Sequence, residues 1–222
     1  MNRTRPRGGD GPRASDRALA VSRAPAVGRA RSLALTFAPA TAARWADVER
    51  LFGARGACGG CWCMAWRLSR AKFDAGKGDA NKRALRKLVM SANAPGVLAY
   101  AGGEPVGWCA VAPRAIYPAL ERSRVLAPVD DAEVWSISCL FVAKSYRNRG
   151  VSSRLLRAAA EFAREQGARI VEGYPVETRA GRLPDPFVWT GIPAAFARAG
   201  FAEVLRRSPA RPIMRRTMRP RA

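Results

Sequence analysis

The 222-residue chain contains no histidine, so imidazole can serve neither as a general base nor as a metal ligand. Lysine is scarce, confined to positions 72, 77, 82, 87 and 144, and only 17 residues are acidic. No stretch approaches the roughly 18–20 uninterrupted apolar residues that a membrane-spanning helix needs. The most apolar run, 134–142, has the length of a strand and carries Ser136 and Ser138. Arg23 and Arg29 interrupt the only stretch that could imitate the apolar centre of a secretory signal. The five cysteines are an odd number, which points to free thiols in a reducing compartment; a cytoplasmic location is expected.

What is abundant is arginine. The formal net charge of +22 divides into +6 over residues 1–31, +7 over 205–222 and +9 over everything between. Two readings stay open. Arginine, alanine, glycine and proline can accumulate wherever structure does not constrain composition, or the two basic ends can bind a polyanion weakly. Residues 1–31 are expected to be an Arg-rich disordered tail, and 32–218 a single domain.

Within that domain, the pattern predicts a strand at 33–37 and a helical segment capped by Thr41, with Trp45, Val48, Leu51 and Phe52 at spacings of three and four. A Gly/Cys-rich turn occupies 56–63, and a second helix is expected over 79–92. Strands at 96–100 and 106–111 flank the turn Gly102-Gly103-Glu104-Pro105. Residues 115–132 read as a loop with one helical turn. The strand at 134–142 leads to a helix over 150–166 stopped by Gly167, then to a strand at 170–174. A Pro/Gly/Arg loop follows at 178–187, then a helix at 192–199 and strands at 202–206 and 213–218. This order implies an α/β fold in which a mixed, mostly antiparallel central sheet is flanked by helices.

The strongest chemical signal is Arg147-Asn148-Arg149-Gly150-Val151-Ser152, between the apolar strand and an amphipathic helix. The first turn of a helix has free N–H groups and a partial positive charge, which suits a pyrophosphate. Gly150 has no side chain to hold phosphate oxygens off the main chain, and Arg147 and Arg149 add positive charge.

The order of elements, together with Arg147-x-x-Gly150-x-Ser152, resembles the GNAT superfamily of N-acetyltransferases. That family's phosphate signature is Gln/Arg-x-x-Gly-x-Gly/Ala; Ser152 departs from it at the last position. Phe196-Ala197-Arg198-Ala199-Gly200-Phe201 is similar to the family's late helix and Gly-Phe turn, and the resemblance spans residues 32–218. It implies an acetyl-CoA-dependent N-acetyltransferase, with acetyl-CoA as co-substrate and an amine as acceptor. Leu140, Phe141 and Val142 would pair with the pantetheine arm, and Arg147, Asn148, Arg149, Gly150, Val151 and Ser152 would hold the phosphates. Backbone N–H groups at Cys139 and Leu140 would stabilise the oxyanion. The resemblance also admits a homodimer.

With no histidine, the candidate bases are carboxylates: Glu172 first, then Glu133, with Asp130 and Asp131 beside it. Many relatives use a tyrosine of the late helix as general acid, but this chain has Phe196 there. Tyr174 or Tyr146 could replace it, or water could protonate the thiolate. In such a fold the 56–67 segment lines the acceptor cleft, so Trp62, Trp66 and Arg67 are candidate substrate contacts, with Arg114 a weaker one. Cys58-x-x-Cys61-x-Cys63 resembles a metal or redox motif, but a fourth ligand would have to come from Cys109 or Cys139; no metal is expected. Two other function classes stay open: a non-catalytic acyl-CoA-binding module, and a basic protein using its arginine tails on nucleic acid or the ribosome.

Overall fold

A computed structural model of the chain describes residues 33–178 and 187–219. The expected tail over 1–31 and most of the expected 178–187 loop lie outside the described residues. Strand β1 (Thr36–Pro39) is followed by a 3₁₀ turn and helix α1 (Trp45–Phe52), then helices α2 (Arg70–Ala75) and α3 (Asp79–Val89). The hairpin of β2 (Gly96–Ala101) and β3 (Glu104–Pro113) leads through the one-turn helix α4 (Pro118–Glu121) to β4 (Trp135–Val142). Helix α5 (Val151–Glu165), strand β5 (Ile170–Gly173), helix α6 (Pro193–Arg198) and strands β6 (Ala202–Ser208) and β7 (Arg211–Thr217) complete the described chain.

The seven strands form one sheet in the order β1-β2-β3-β4-β5-β7-β6. Every neighbouring pair is antiparallel except β4 and β5. Those two run parallel for only three residue pairs, Trp135↔Val171, Ser136↔Glu172 and Ile137↔Gly173. Beyond Ile137 the register of β4 against β3 shifts, with Ser138 as the extra residue of a bulge. From there β4 continues alone to Val142, and a wedge opens between it and the end of β5.

Helix α5 covers one face of the sheet. Its apolar stripe, Val151, Leu155, Leu156, Ala159, Ala160 and Ala163, packs on Val97, Ala99, Cys109, Ile137, Leu140 and Val142. Helices α1 and α3 cover the other face, where Trp45, Phe52, Trp62, Met64, Leu85 and Val89 meet Leu98, Trp108 and Ala110. A third cluster gathers Tyr117, Leu120, Leu126, Tyr174 and Ile213.

Two local differences from the sequence pattern have physical causes. The first strand starts at Thr36 rather than residue 33, because the Leu33 carbonyl accepts a bond from the Arg154 side chain instead of pairing in the sheet. Helix α2 was not legible because it buries none of its residues. It rests on local polar pairs: the Ser69 hydroxyl accepts from Lys72 N–H, and Asp74 pairs with Arg70 and with Lys77 at 2.8 Å.

Gly173 shows how tightly the wedge is built. A Cβ there would fall 1.9 Å from the Phe196 ring. Gly173→Ala should therefore lower stability by about 1–3 kcal/mol through overpacking. Denaturant melts of the single variant and of the Gly173→Ala, Phe196→Leu double variant check this; the smaller second side chain should restore part of the loss.

Candidate functional site

The open edge of β4 and the start of α5 share one wall. Backbone groups alternate along a strand. Leu140 and Val142 present theirs to the wedge, while Cys139 and Phe141 present theirs to β3. After Val142 the chain turns through Tyr146, whose N–H donates to the Ala143 carbonyl at 2.9 Å. The Arg147 Nε donates to the Val142 carbonyl at 2.9 Å and ties this turn to the strand end. Asn148 (φ 59°) and Gly150 (φ 74°) then adopt left-handed conformations, which asparagine and glycine tolerate best. That turn aims the first N–H groups of α5 into a cleft of about 640 Å³.

Eight of the nine residues expected to hold the cofactor line this cleft: Leu140, Phe141, Val142, Arg147, Asn148, Gly150, Val151 and Ser152. Arg149 does not; its guanidinium lies over the Tyr146 ring at 5.7 Å. A Cβ built on Gly150 meets nothing within 4 Å, so the space in front of the helix start is open. No acidic residue is among the described residues lining the cleft, and Arg147 and Arg198 supply positive charge. Helix N–H groups, an unfilled approach and nearby positive charge are the features that a phosphate-bearing ligand would require.

Several further residues line the cleft that were not among those expected to hold the cofactor. Ala57 and Cys58 reach the cleft from the Gly/Cys-rich turn, and Val188, Trp189, Gly191, Ile192 and Ala195 close its inner side. The Leu140 N–H, expected to be an oxyanion donor, donates to the Trp189 carbonyl at 2.7 Å. A lone tryptophan ahead of Thr190-Gly191 was the only hint of this element.

The candidate catalytic groups sit elsewhere. Glu172 is 1% exposed. Its Oε1 accepts from Arg215 Nε at 2.6 Å, and its Oε2 accepts from the Tyr174 hydroxyl at 2.7 Å. Arg114 reaches across to the same pair, donating to the Tyr174 hydroxyl at 2.7 Å, with Glu172 at 3.7 Å. It also donates to the carbonyls of Leu120 and Leu126 at 3.2 and 2.8 Å. Its Nε lies at ion-pair distance from Glu121, 2.8 Å, without hydrogen-bond alignment. The Ser136 and Tyr174 hydroxyls are 2.8 Å apart. Burial, then the charge of Glu172, pushes the Tyr174 hydroxyl above its ordinary pKa. Glu172 and Tyr174 thus belong to a closed polar network, and neither lines the cleft.

Glu133 is exposed and precedes β4 by two residues. At about 3.3 Å per strand residue it lies on the order of 20 Å from Leu140. Asp131 is exposed, while Asp130 pairs with Arg215 at 2.6 Å, which holds its carboxyl below the usual range.

Of the candidate acceptor contacts, Trp62 is buried. It packs between Trp45 and Phe52 at ring distances of 6.3 and 5.6 Å. Arg67 lies over the Tyr117 ring at 4.8 Å and donates to its hydroxyl at 3.2 Å. Trp66 alone adjoins the wedge, packed edge-on against Trp189 at 5.0 Å and Tyr174 at 5.7 Å.

All five cysteines are free. Cys63 accepts from Trp108 Nε1 at 3.1 Å. Burial pushes Cys61 up to about 11 and Cys109 well above its ordinary value; the neighbouring Cys63 thiol and burial do the same to Cys139. Protonated, desolvated thiols are poor nucleophiles. Among the described residues no group of three or more Cys, Asp or Glu is placed to hold a metal ion, and no helix is long and apolar enough to cross a membrane.

The sequence model of the acetyltransferase (GNAT) family matches residues 62–181. No curated protein is significantly similar to the chain. Among solved structures, a GNAT-family acetyltransferase from Streptococcus agalactiae is similar at 10% identity, with 83% of this chain and 96% of that one covered and a TM-score of 0.50. One from Listeria monocytogenes shares 10% identity over 83% and 95% of the two chains, with a TM-score of 0.49. The PaiA N-acetyltransferase of Thermoplasma acidophilum, in complex with coenzyme A, shares 11% identity over 83% and 99%, with a TM-score of 0.45. At such identities the likeness is one of fold.

Proposed function

The chain belongs to the acetyltransferase (GNAT) family, and from that premise we propose that it transfers an acetyl group from acetyl-CoA directly to an amine. The observation that carries this reading is the cleft at the start of α5, with no acid among its described lining residues, where Gly150 leaves the helix N–H groups open. The diphosphate takes those N–H groups and the charge of Arg147 and Arg198. The pantetheine arm then runs along the exposed backbone of Val142 towards Leu140, which directs the thioester to the inner end of the cleft.

The amine must attack in its neutral form, and the thiolate must gain a proton as it leaves. Histidine is absent, the oxygens of Glu172 are engaged by Arg215 and Tyr174, and Glu133 is remote. The amine therefore loses its first proton to water before attack, and the second, released from the nitrogen as the amide forms, passes through water to the leaving thiolate. On this reading, kcat/KM should rise with pH and level off only at the acceptor's own pKa. Glu172→Gln should leave that profile in place, because Glu172 holds the network under β5 rather than moving the proton.

The test is release of CoA thiol from acetyl-CoA across a panel of amines: small polyamines, aminoglycosides, amino acids and peptides with free N-termini. Acetylated product with at least one of them establishes the activity. One observation favours a second reading, a non-catalytic acyl-CoA-binding module: the Leu140 N–H is already bonded to Trp189. Tight acetyl-CoA binding without thiol release to any amine would establish that reading instead.

A further inference from the structure

The segment from Val188 to Gly191 crosses the wedge as a strut. At one end the Trp189 carbonyl accepts from Leu140 N–H on β4 at 2.7 Å. At the other, the Gly191 carbonyl accepts from Val176 N–H, just past β5, at 2.9 Å. Within it, Gly191 N–H donates back to the Val188 carbonyl at 2.7 Å, and the Thr190 hydroxyl accepts from Arg211 at 3.0 Å.

This strut has no slack. A Cβ on Gly191 would fall 2.9 Å from both Leu140 Cδ1 and the Phe196 ring, and its φ of 87° is one that glycine accepts freely. The Trp189 ring is braced by Trp66, and Trp66 by Tyr174. Phe196 behind it is fully buried between Gly173, Gly191 and Phe201, which also explains an apolar ring where relatives place a hydroxyl. The cleft is therefore open at the α5 end and walled at the Leu140 end.

We propose that this wall, Trp189 and Gly191 backed by Phe196, confines the acyl donor to short acyl groups. The inference rests on the acyl-CoA reading above, which directs the acyl group at the wall. A close-packed wall does not yield space without repacking, and each surplus methylene in a closed pocket lowers affinity by about tenfold.

Calorimetric titration of the full chain with CoA, acetyl-CoA, butyryl-CoA and octanoyl-CoA tests it. Acetyl-CoA should bind about as well as CoA, and octanoyl-CoA, with six surplus methylenes, more than about 100-fold more weakly. Trp189→Ala, by removing the brace on Trp66, should bring octanoyl-CoA to within about tenfold of acetyl-CoA. Trp189→Leu keeps an apolar anchor for Trp66, and should shift the preference in the same direction if the alanine variant does not fold. Equal binding of acetyl- and octanoyl-CoA by the parent protein overturns the proposal, as does an unchanged ratio in a folded variant. If no CoA species binds at all, the acyltransferase reading itself fails; a flat dependence on chain length with tight CoA binding removes the wall alone.

Discussion

Gly150→Glu should abolish acetyl-CoA binding. The glutamate would place a carboxylate in front of the first N–H groups of α5, where nothing lies within 4 Å of the built Cβ and no acid is present among the described lining residues. It would take the helix donors for itself and oppose the diphosphate. The expected loss is on the order of 3–5 kcal/mol, which is that of an uncompensated charge in a binding site and lowers affinity by more than about 100-fold. Two milder variants separate charge from backbone strain. Gly150→Ala adds only the strain of a left-handed residue, about 1 kcal/mol. Gly150→Asn adds less, because asparagine tolerates that conformation. Titration with acetyl-CoA should rank the three as Asn, Ala, Glu in increasing loss. Near-parent affinity in the glutamate variant would show that the phosphates bind elsewhere.

The largest loss of stability should come from Arg114→Met. Arg114 is buried and serves five groups: the Tyr174 hydroxyl, the Leu120 and Leu126 carbonyls, and the carboxylates of Glu121 and, at longer range, Glu172. Methionine fills much of the volume and satisfies none of them. Breaking one side of a buried ionic network costs about 3–5 kcal/mol, because partners are left desolvated without compensation. For a domain of this size that corresponds to a Tm lower by about 10 °C. Urea denaturation monitored by tryptophan fluorescence checks the magnitude. Adding Glu172→Gln to the Arg114→Met variant should recover part of the loss, since it removes the charge left short of a partner. An additive further loss would mean that Arg215 alone satisfies Glu172 and that Arg114 acts only through the carbonyls it binds.

The parts of the site that were legible are those whose chemistry is local. The turn at Arg147 to Ser152 could be read because a strand end, a glycine and a helix start occur within ten residues, so its geometry is set by that short stretch. The hairpin at Gly102-Gly103 and the apolar stripe of α5 were readable for the same reason. Glu172 was another matter. Its position on a strand after the apolar one suggested a base, but its partners Arg114 and Arg215 lie 58 and 43 residues away, and only folding brings them together. Trp62, in a glycine-rich turn, was a candidate substrate contact. The positive φ angles at Ala57, Trp62 and Cys63 instead bend that turn inward and bury the indole in the α1 side of the core. The strut at Val188–Gly191 carries no periodicity or motif, so its contact with Leu140 follows from tertiary structure alone.

The three-pair joint between β4 and β5 has a mechanical consequence. It divides the sheet into two leaves, β1 to β4 and β5 with β7 and β6, joined side by side over one short overlap. Side chains also fasten the second leaf to the segment between β3 and β4: Arg114 to Tyr174, Asp130 to Arg215, and Arg207 to the carbonyls of Ala127 and Pro128. At the cleft end the main-chain connection is the strut. The two leaves thus resemble a clothes-peg held at the short overlap, and across the wedge between its jaws the described main chain is bridged by the bond between Leu140 and Trp189.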